Sequence, residues 1–208
     1  MARGDRCKNS AGRPLRLVLA SASPRRRQLL ADAGYDFEVA PSIIAEPEST
    51  DSHVGAAAFA EALSFLKASS VAEGREDALV IGADTVVALH GKLYGKPADV
   101  YDALRILSAL MVETHDVITG VTFIDTRAER RAITHDLTRV TMTPMTAEQL
   151  DAYLESGLWR GKAGAYGIQD HDDQFVRQLE GDFSNVVGLP LKLVEETLTR
   201  WGHPPLSH

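Results

Sequence analysis

Three stretches of the chain combine residue types that do chemistry. The first is Ser21-Ala22-Ser23-Pro24-Arg25-Arg26-Arg27, where Ser23 reads as a helix N-cap and Pro24 as the first helical position. A helix start carries the positive end of the macrodipole, so three cations there are disfavoured unless an anion offsets them. Two hydroxyls, helix N–H groups and guanidinium forks make a phosphate-binding arrangement without a Walker loop; the alternative is a solvated basic turn. The second is Asp84, which interrupts the apolar run Val80-Ile81-Gly82-Ala83 and Thr85-Val86-Val87. A lone carboxylate in such a strand is costly unless a metal, Lys or Arg compensates it. It is either a general base or metal ligand, or an Asp at a strand end that caps a turn. The third is Lys162-Ala163-Gly164-Ala165-Tyr166-Gly167-Ile168-Gln169, whose small residues let backbone approach a ligand and whose Gln169 can read a base edge with paired donor and acceptor.

Two further lysines are ambiguous. Lys96, framed by Gly95 and Pro97, is a phosphate contact or an exposed turn residue; Lys67, beside Leu66, snorkels at the core margin or projects into a cleft. The seven histidines show no ligand spacing, and His115-Asp116, His135-Asp136 and His171-Asp172 read as surface or turn pairs. No GxSxG elbow is present, and the only cysteine, Cys7, excludes an intrachain disulfide or a multi-cysteine zinc site. A reducing compartment follows, with the cytoplasm as the expected location.

These residues need elements to position them. Arg16 to Ser21 reads as a buried strand, followed by the helix from Ser23 to Ala33 with Gly34 as its stop. A strand at 37–40 leads into a polar loop at 41–52, a candidate for function. Val54 to Ala72 is helical, with Phe59, Leu63 and Leu66 on one face, and Leu79 to Leu89 is a central strand turning at His90-Gly91-Lys92. A helix over 98–112 shows Leu104, Leu107 and Met111 together. Strands at 116–124 and 131–142 form a long hairpin; a helix at 147–155, a strand at 175–179 and a terminal helix at 190–201 complete an α/β protein with a mixed sheet.

With 208 residues, 44% of them hydrophobic and 25% charged, the chain predicts one domain at 15–201, between an N-terminal tail at 1–14 and a C-terminal tail at 202–208. The net charge of -7 excludes a general nucleic-acid coat, so any bound phosphate must meet a local basic cluster. No apolar stretch approaches the ~20 residues that cross a bilayer.

Taken in order, Leu19 to Arg26, Gly82-Ala83-Asp84-Thr85-Val86, Gly95-Lys96-Pro97, Lys162 to Gln169 and the stretch from Glu180 to Pro190 form a series. In motif and spacing the chain resembles, over about Leu17 to Leu198, the Maf family of nucleoside triphosphate pyrophosphatases. The resemblance implies an elongated mixed β-sheet flanked by helices, two lobes around a cleft as in inosine triphosphate pyrophosphatases, and homodimers. It implies hydrolysis of a nucleoside triphosphate to monophosphate and pyrophosphate with a divalent metal cation, Mg²⁺ or Mn²⁺. Asp84 matches the proposed general base, and Ser21, Ser23, Arg25, Arg26, Lys67 and Lys96 fit a triphosphate clamp. Glu46 is the second carboxylate for a metal beside Asp84. Arg25, Thr85 and Gln169 match the branch associated with dTTP and UTP rather than 7-methyl-GTP. The chain departs from the family pattern at Ala45, where an acidic pair with Glu46 is usual, at Glu113, where an arginine is usual, and at Asp170, where glycine is usual. Two further readings are compatible with the same residues: a pyrophosphatase preferring purine or 7-methyl-GTP nucleotides, and a nucleotide-binding regulator of septum formation with little turnover.

Overall fold

The computed structural model describes residues 15–44, 55–168 and 175–206. β1 (Arg16–Leu19) feeds α1 (Pro24–Asp32), whose N-cap Ser23 accepts from the Arg26 N–H. β2 (Glu38–Val39), α2 (Ala56–Ala72) and the long β3 (Ala78–Leu89) follow. His90 and Gly91, both left-handed, return the chain as β4 (Lys92–Tyr94). α3 (Val100–Leu110), β5 (Thr114–Asp125) and β6 (Arg130–Met142) precede α4 (Ala147–Ser156), which starts on a Thr146–Gln149 capping box. β7 (Val176–Glu180), α5 (Phe183–Val187) and α6 (Leu191–Arg200) close the fold. β4 and α5, with three and five residues, are too short for apolar periodicity to reveal.

The seven strands make one mixed sheet in the order β2-β1-β3-β5-β6-β7, with β4 also on β3. β2, β1 and β3 run parallel and the remaining pairings are antiparallel. Register creates an opening. β1 accompanies β3 only as far as Leu19 opposite Ile81, and β4 joins it only from Val87 opposite Tyr94. Among the described residues, Gly82 to Val86 therefore have no strand beside them on that edge. Because side chains alternate along a strand, the gap presents Asp84 on one face of the sheet and Thr85 on the other.

α2 covers the Asp84 face, burying Ala60, Leu63, Ser64, Lys67 and Ala68. Its small residues lie directly over two glycines: a Cβ on Gly120 would run into the Ala60 backbone, and one on Gly82 into Ser64 O and Ala68 N. Ser64 Oγ and Thr122 Oγ1 meet at 2.7 Å in the same contact. This close approach turns Leu66, expected with Phe59 and Leu63, outward to 45% exposure. α3 differs in the same way. Ala103, Ile106, Leu107 and Leu110 form its buried stripe, and Leu104 stands outside it. The opposite face of the sheet carries two apolar clusters, one around Leu19, Ile81 and Phe123 with α6, the other around Val87, Val117 and Tyr166 with α3.

His115 is a correction to the surface reading of His115-Asp116. The alternation of β5 turns it inward, where it is 1% exposed with Nε2 2.8 Å from the Tyr166 hydroxyl. Burial pushes its pKa down to about 4, so the ring is neutral at ordinary pH. His135 does lie at the surface, paired with Glu61, and His171-Asp172 lies outside the described residues. The described part of the expected C-terminal tail is tied down, Leu206 N–H donating to Gly34 O at 2.9 Å.

The α2 contact generates a stability prediction. Gly120→Ala places a methyl group against backbone that has no rotamer to change, so it should cost about 2 kcal/mol or more. In a chain of this size that lowers Tm by roughly 4–8 °C, read by thermal melting. An unchanged Tm would show that α2 can lift off the sheet freely.

Candidate functional site

A cleft of about 450 Å³ opens at the gap in the sheet edge. The loop after β1 supplies Ser21 and Ser23, the first turn of α1 supplies Arg25 and Arg26, α2 supplies Lys67, and β3 supplies Asp84 and Thr85. Lys96, from the turn after β4, completes a wall drawn from segments up to 75 residues apart, since all eight side chains line the same cavity. Glu46 and Gln169, together with Ala45 and Asp170, lie outside the described residues. Their neighbours Ile44 and Ile168 line the cleft, and so does Ser42, at the start of the polar loop expected to be functional.

Asp84 sits in mid-strand, not at a strand end, so the turn-capping alternative falls. It is 7% exposed, and Lys67, 9% exposed, places Nζ 2.5 Å from its Oδ1. Two charges withdrawn from water stabilise one another when paired in this way. Lys67 therefore projects into the cleft; the core-margin alternative does not hold. The pairing follows from the fold, because Lys67 shares a helix face with Ser64 and Ala68 and Asp84 shares a strand face with Gly82.

The other wall is built on hydroxyls and guanidinium. Ser21 Oγ accepts from Ser23 N–H at 3.2 Å and from Arg26 Nη1 at 3.4 Å, which leaves its own O–H to donate. Arg26 also donates from Nε to Gly188 O at 2.7 Å and from Nη2 to Thr85 Oγ1 at 3.0 Å. Thr85, expected to act with Arg25, is thus bonded to Arg26. Lys96 is exposed, and the Gly95 carbonyl beside it accepts from Gly164 N–H at 3.1 Å. That bond ties the Lys96 turn to the 3-10 turn at Ala163–Ala165 and brings Lys162 to the same cleft.

Sequence reasoning gave no role to Lys162 or Arg160, both of which line the cavity. Lys162 was visible as the head of a glycine-rich loop; Arg160, stacked over the Trp159 ring at 4.8 Å, carries no spacing signal. Glu113 does not line the cleft. It meets His90 at 2.5 Å on an exposed turn, so the missing arginine leaves the described wall intact. Among the described lining residues the cations are Arg25, Arg26, Lys67, Lys96, Arg160 and Lys162, and the one carboxylate is Asp84. Such an excess concentrates a multiply charged anion. Val87, Val117, Tyr166, Ile168 and Val187 add an apolar side able to take a flat ring.

The sequence profile of the family described as Maf-like protein matches residues 16–201. The chain is 48% identical over 187 residues to a protein of Moorella thermoacetica named dTTP/UTP pyrophosphatase, covering 90% of this chain and 95% of that one. A protein of the same name from Geobacter sulfurreducens is 42% identical over 187 residues, covering 90% and 97%. Among solved structures, a HAM1 protein from Coxiella burnetii shares the fold, with a TM-score of 0.50 at 14% identity over 89% of this chain and 99% of that one. The profile spans every segment that lines the cleft, and the chain belongs to the family of Maf-like proteins.

Proposed function

We propose that the protein is a pyrophosphatase that hydrolyses dTTP and UTP to the nucleoside monophosphate and pyrophosphate, clearing nucleotide pools in the cytoplasm. The observation that carries this reading is a buried, lysine-paired carboxylate lining a cleft with six cations among its described lining residues. The names of the relatives at 48% and 42% identity supply the nucleotide. The family resemblance extends the proposal to a homodimer. Among the described residues no helix is long and apolar enough to cross a membrane.

In the proposed reaction Asp84 takes a proton from water as the water oxygen bonds to the α-phosphorus, and the bond from that phosphorus to the α–β bridging oxygen breaks. The electron pair leaves with pyrophosphate. Catalysis of this kind rests on positioning and on stabilising charge as it moves onto the leaving group. Ser21 and Ser23 are placed to donate or orient, while Arg25, Arg26, Lys67 and Lys96 hold the phosphates as one unit. Thr85 and Gln169, with Arg25, select the base.

The donor set is compatible with a divalent cation that arrives with the triphosphate. No group of three His, Cys, Asp or Glu side chains gathers among the described residues, so a cage made wholly of these is not available there. Magnesium and manganese need only one or two carboxylates besides substrate phosphate oxygens. Asp84, with Glu46 as the second carboxylate, would hold it, and the ion would offset charge on the phosphate oxygens.

Three outcomes test the proposal. Purified protein given a panel of triphosphates with Mg²⁺ or Mn²⁺ should release monophosphate and pyrophosphate from dTTP and UTP; nucleoside diphosphate and orthophosphate as first products would refute the bond assignment, and binding without turnover would favour a regulator. Asp84→Asn should lower kcat by about 100-fold or more while nucleotide still binds, the loss expected for a missing general base. Its Tm belongs in the same experiment, because Lys67 then loses its carboxylate. A near-normal kcat would move the role to Glu46. Gln169→Ala should reduce kcat/KM for UTP and dTTP more than for CTP or purine triphosphates, since a site built around an amide rejects bases that leave it unpaired. Equal losses for all nucleotides would mean that Gln169 orients the loop or phosphates instead.

A further inference from the structure

Thr119, Asn185 and Gly188 stand outside the proposed clamp, yet the hydrogen bonds around Arg26 close through them. Arg26 Nη2 donates to Thr85 Oγ1 at 3.0 Å, Thr85 Oγ1 lies 2.9 Å from Thr119 Oγ1, and Thr119 Oγ1 donates to Asn185 O at 2.9 Å. Asn185 lies in α5 and Gly188 is its C-cap, and Gly188 O accepts from Arg26 Nε at 2.7 Å. The result is a closed ring running from α1 through β3 and β5 to α5 and back.

Its polarity is fixed by chemistry. A backbone carbonyl only accepts, so Thr119 commits its single hydroxyl hydrogen to Asn185. Thr119 must then accept from Thr85, and Thr85, its hydrogen spent, meets Arg26 as an acceptor. That is the one role a guanidinium can bond to. Thr119 and Asn185 are fully buried, where a polar chain with every link answered is rigid and a broken one is costly. Gly188 has φ 123°, and a Cβ there would lie 3.3 Å from both Arg26 Nε and Thr85 Oγ1, so glycine leaves the ring its space. α5 is also pinned independently, Asn185 Nδ2 donating to Val117 O and Thr138 Oγ1 at 3.0 Å each.

We propose that Thr119 and Asn185, with the Gly188 carbonyl, are positioning residues that set the plane of the Arg26 guanidinium for the phosphates of the substrate. The proposal rests on the reading of the cleft as a triphosphate site. Neither Thr119 nor Asn185 touches the substrate; their effect passes through Arg26.

A double-mutant cycle read by calorimetric binding of inorganic tripolyphosphate tests this without requiring turnover. Thr119→Val, which keeps the shape and removes the hydroxyl, should weaken binding about tenfold, the scale of one displaced charge-assisted hydrogen bond. Thr119→Ser should bind within about threefold of the wild type, as the hydroxyl is restored. In an Arg26→Ala background, where the other cations still bind, Thr119→Val should add less than about a twofold loss, because the two residues act as one unit. Additive losses in the cycle, or a Thr119→Ser variant as weak as Thr119→Val, would overturn the proposal. If Thr119→Val does not fold, Thr85→Val at a half-buried position interrupts the same ring and enters the same cycle. A wild type that binds tripolyphosphate but leaves UTP intact would sink the pyrophosphatase reading alone, whereas one that does not bind tripolyphosphate would sink the positioning role.

Discussion

The close seat of α2 on the sheet is the constraint on which the site depends. Ala60, Ser64 and Ala68 lie over Gly120 and Gly82 with no space for a side chain on either glycine. At that separation the ammonium of Lys67 reaches Asp84 directly. A larger residue at any of these positions would raise the helix, and the carboxylate would face the interior without its partner. Leaving one member of a buried ion pair alone costs several kcal/mol, about 3–5 where it has been measured. Packing that looks merely structural thus holds the electrostatics of the cleft, and the short side chains of α2 serve the chemistry through their size.

A second constraint acts along the strands. β1 stops at the level of Ile81 and β4 begins only at Val87, which leaves five residues of a central strand open at one edge. Elsewhere such an edge invites pairing with another chain. Here the loop after β1 and the start of α1 fill the space with Ser21, Ser23, Arg25 and Arg26. Alternation along β3 sends neighbouring residues to opposite faces beside this gap. Asp84 meets α2 on one side, while Thr85 on the other joins Arg26 and Thr119. Consecutive residues so acquire separate partners beside an open edge.

Much of this was legible in the sequence, for identifiable reasons. Ser23-Pro24 and Gly34 announce the two ends of a helix through local hydrogen bonding and backbone freedom, and the structure places α1 between them. Asp84 announces itself by its cost in an apolar strand, whatever surrounds it. Lys67 does not, because a lysine on a helix has a bland explanation until the facing strand is known. The apolar stripes of α2 and α3 depart from the expected ones at Leu66 and Leu104, since periodicity counts large side chains and the contact of α2 is made by small ones. His115 departs from its surface expectation because a histidine next to an aspartate looks polar as a pair, yet strand alternation separates their environments. Thr119 gave no signal at all: a threonine in a β-rich run is ordinary, and its place opposite Thr85 exists only in the register of β3 and β5.

The two polar arrangements in the cleft differ in how tightly the fold specifies them. Lys67–Asp84 joins two elements, and its distance follows the seat of α2 on β3. The arrangement around Arg26 draws on four elements and has a fixed direction at each hydroxyl, so no member can turn without leaving another unsatisfied. A long, flexible side chain ordinarily loses rotamer freedom when it grips a ligand, and that loss weakens binding. For Arg26 much of this cost falls on folding instead, where burial of Thr119 and Asn185 enforces the order in advance. The cleft thus joins a fixed guanidinium to the exposed Lys96 on its tethered turn. A guanidinium held from four elements at one end and an ammonium on a turn tied to the Ala163–Ala165 segment at the other set the spacing of positive charge along the cleft.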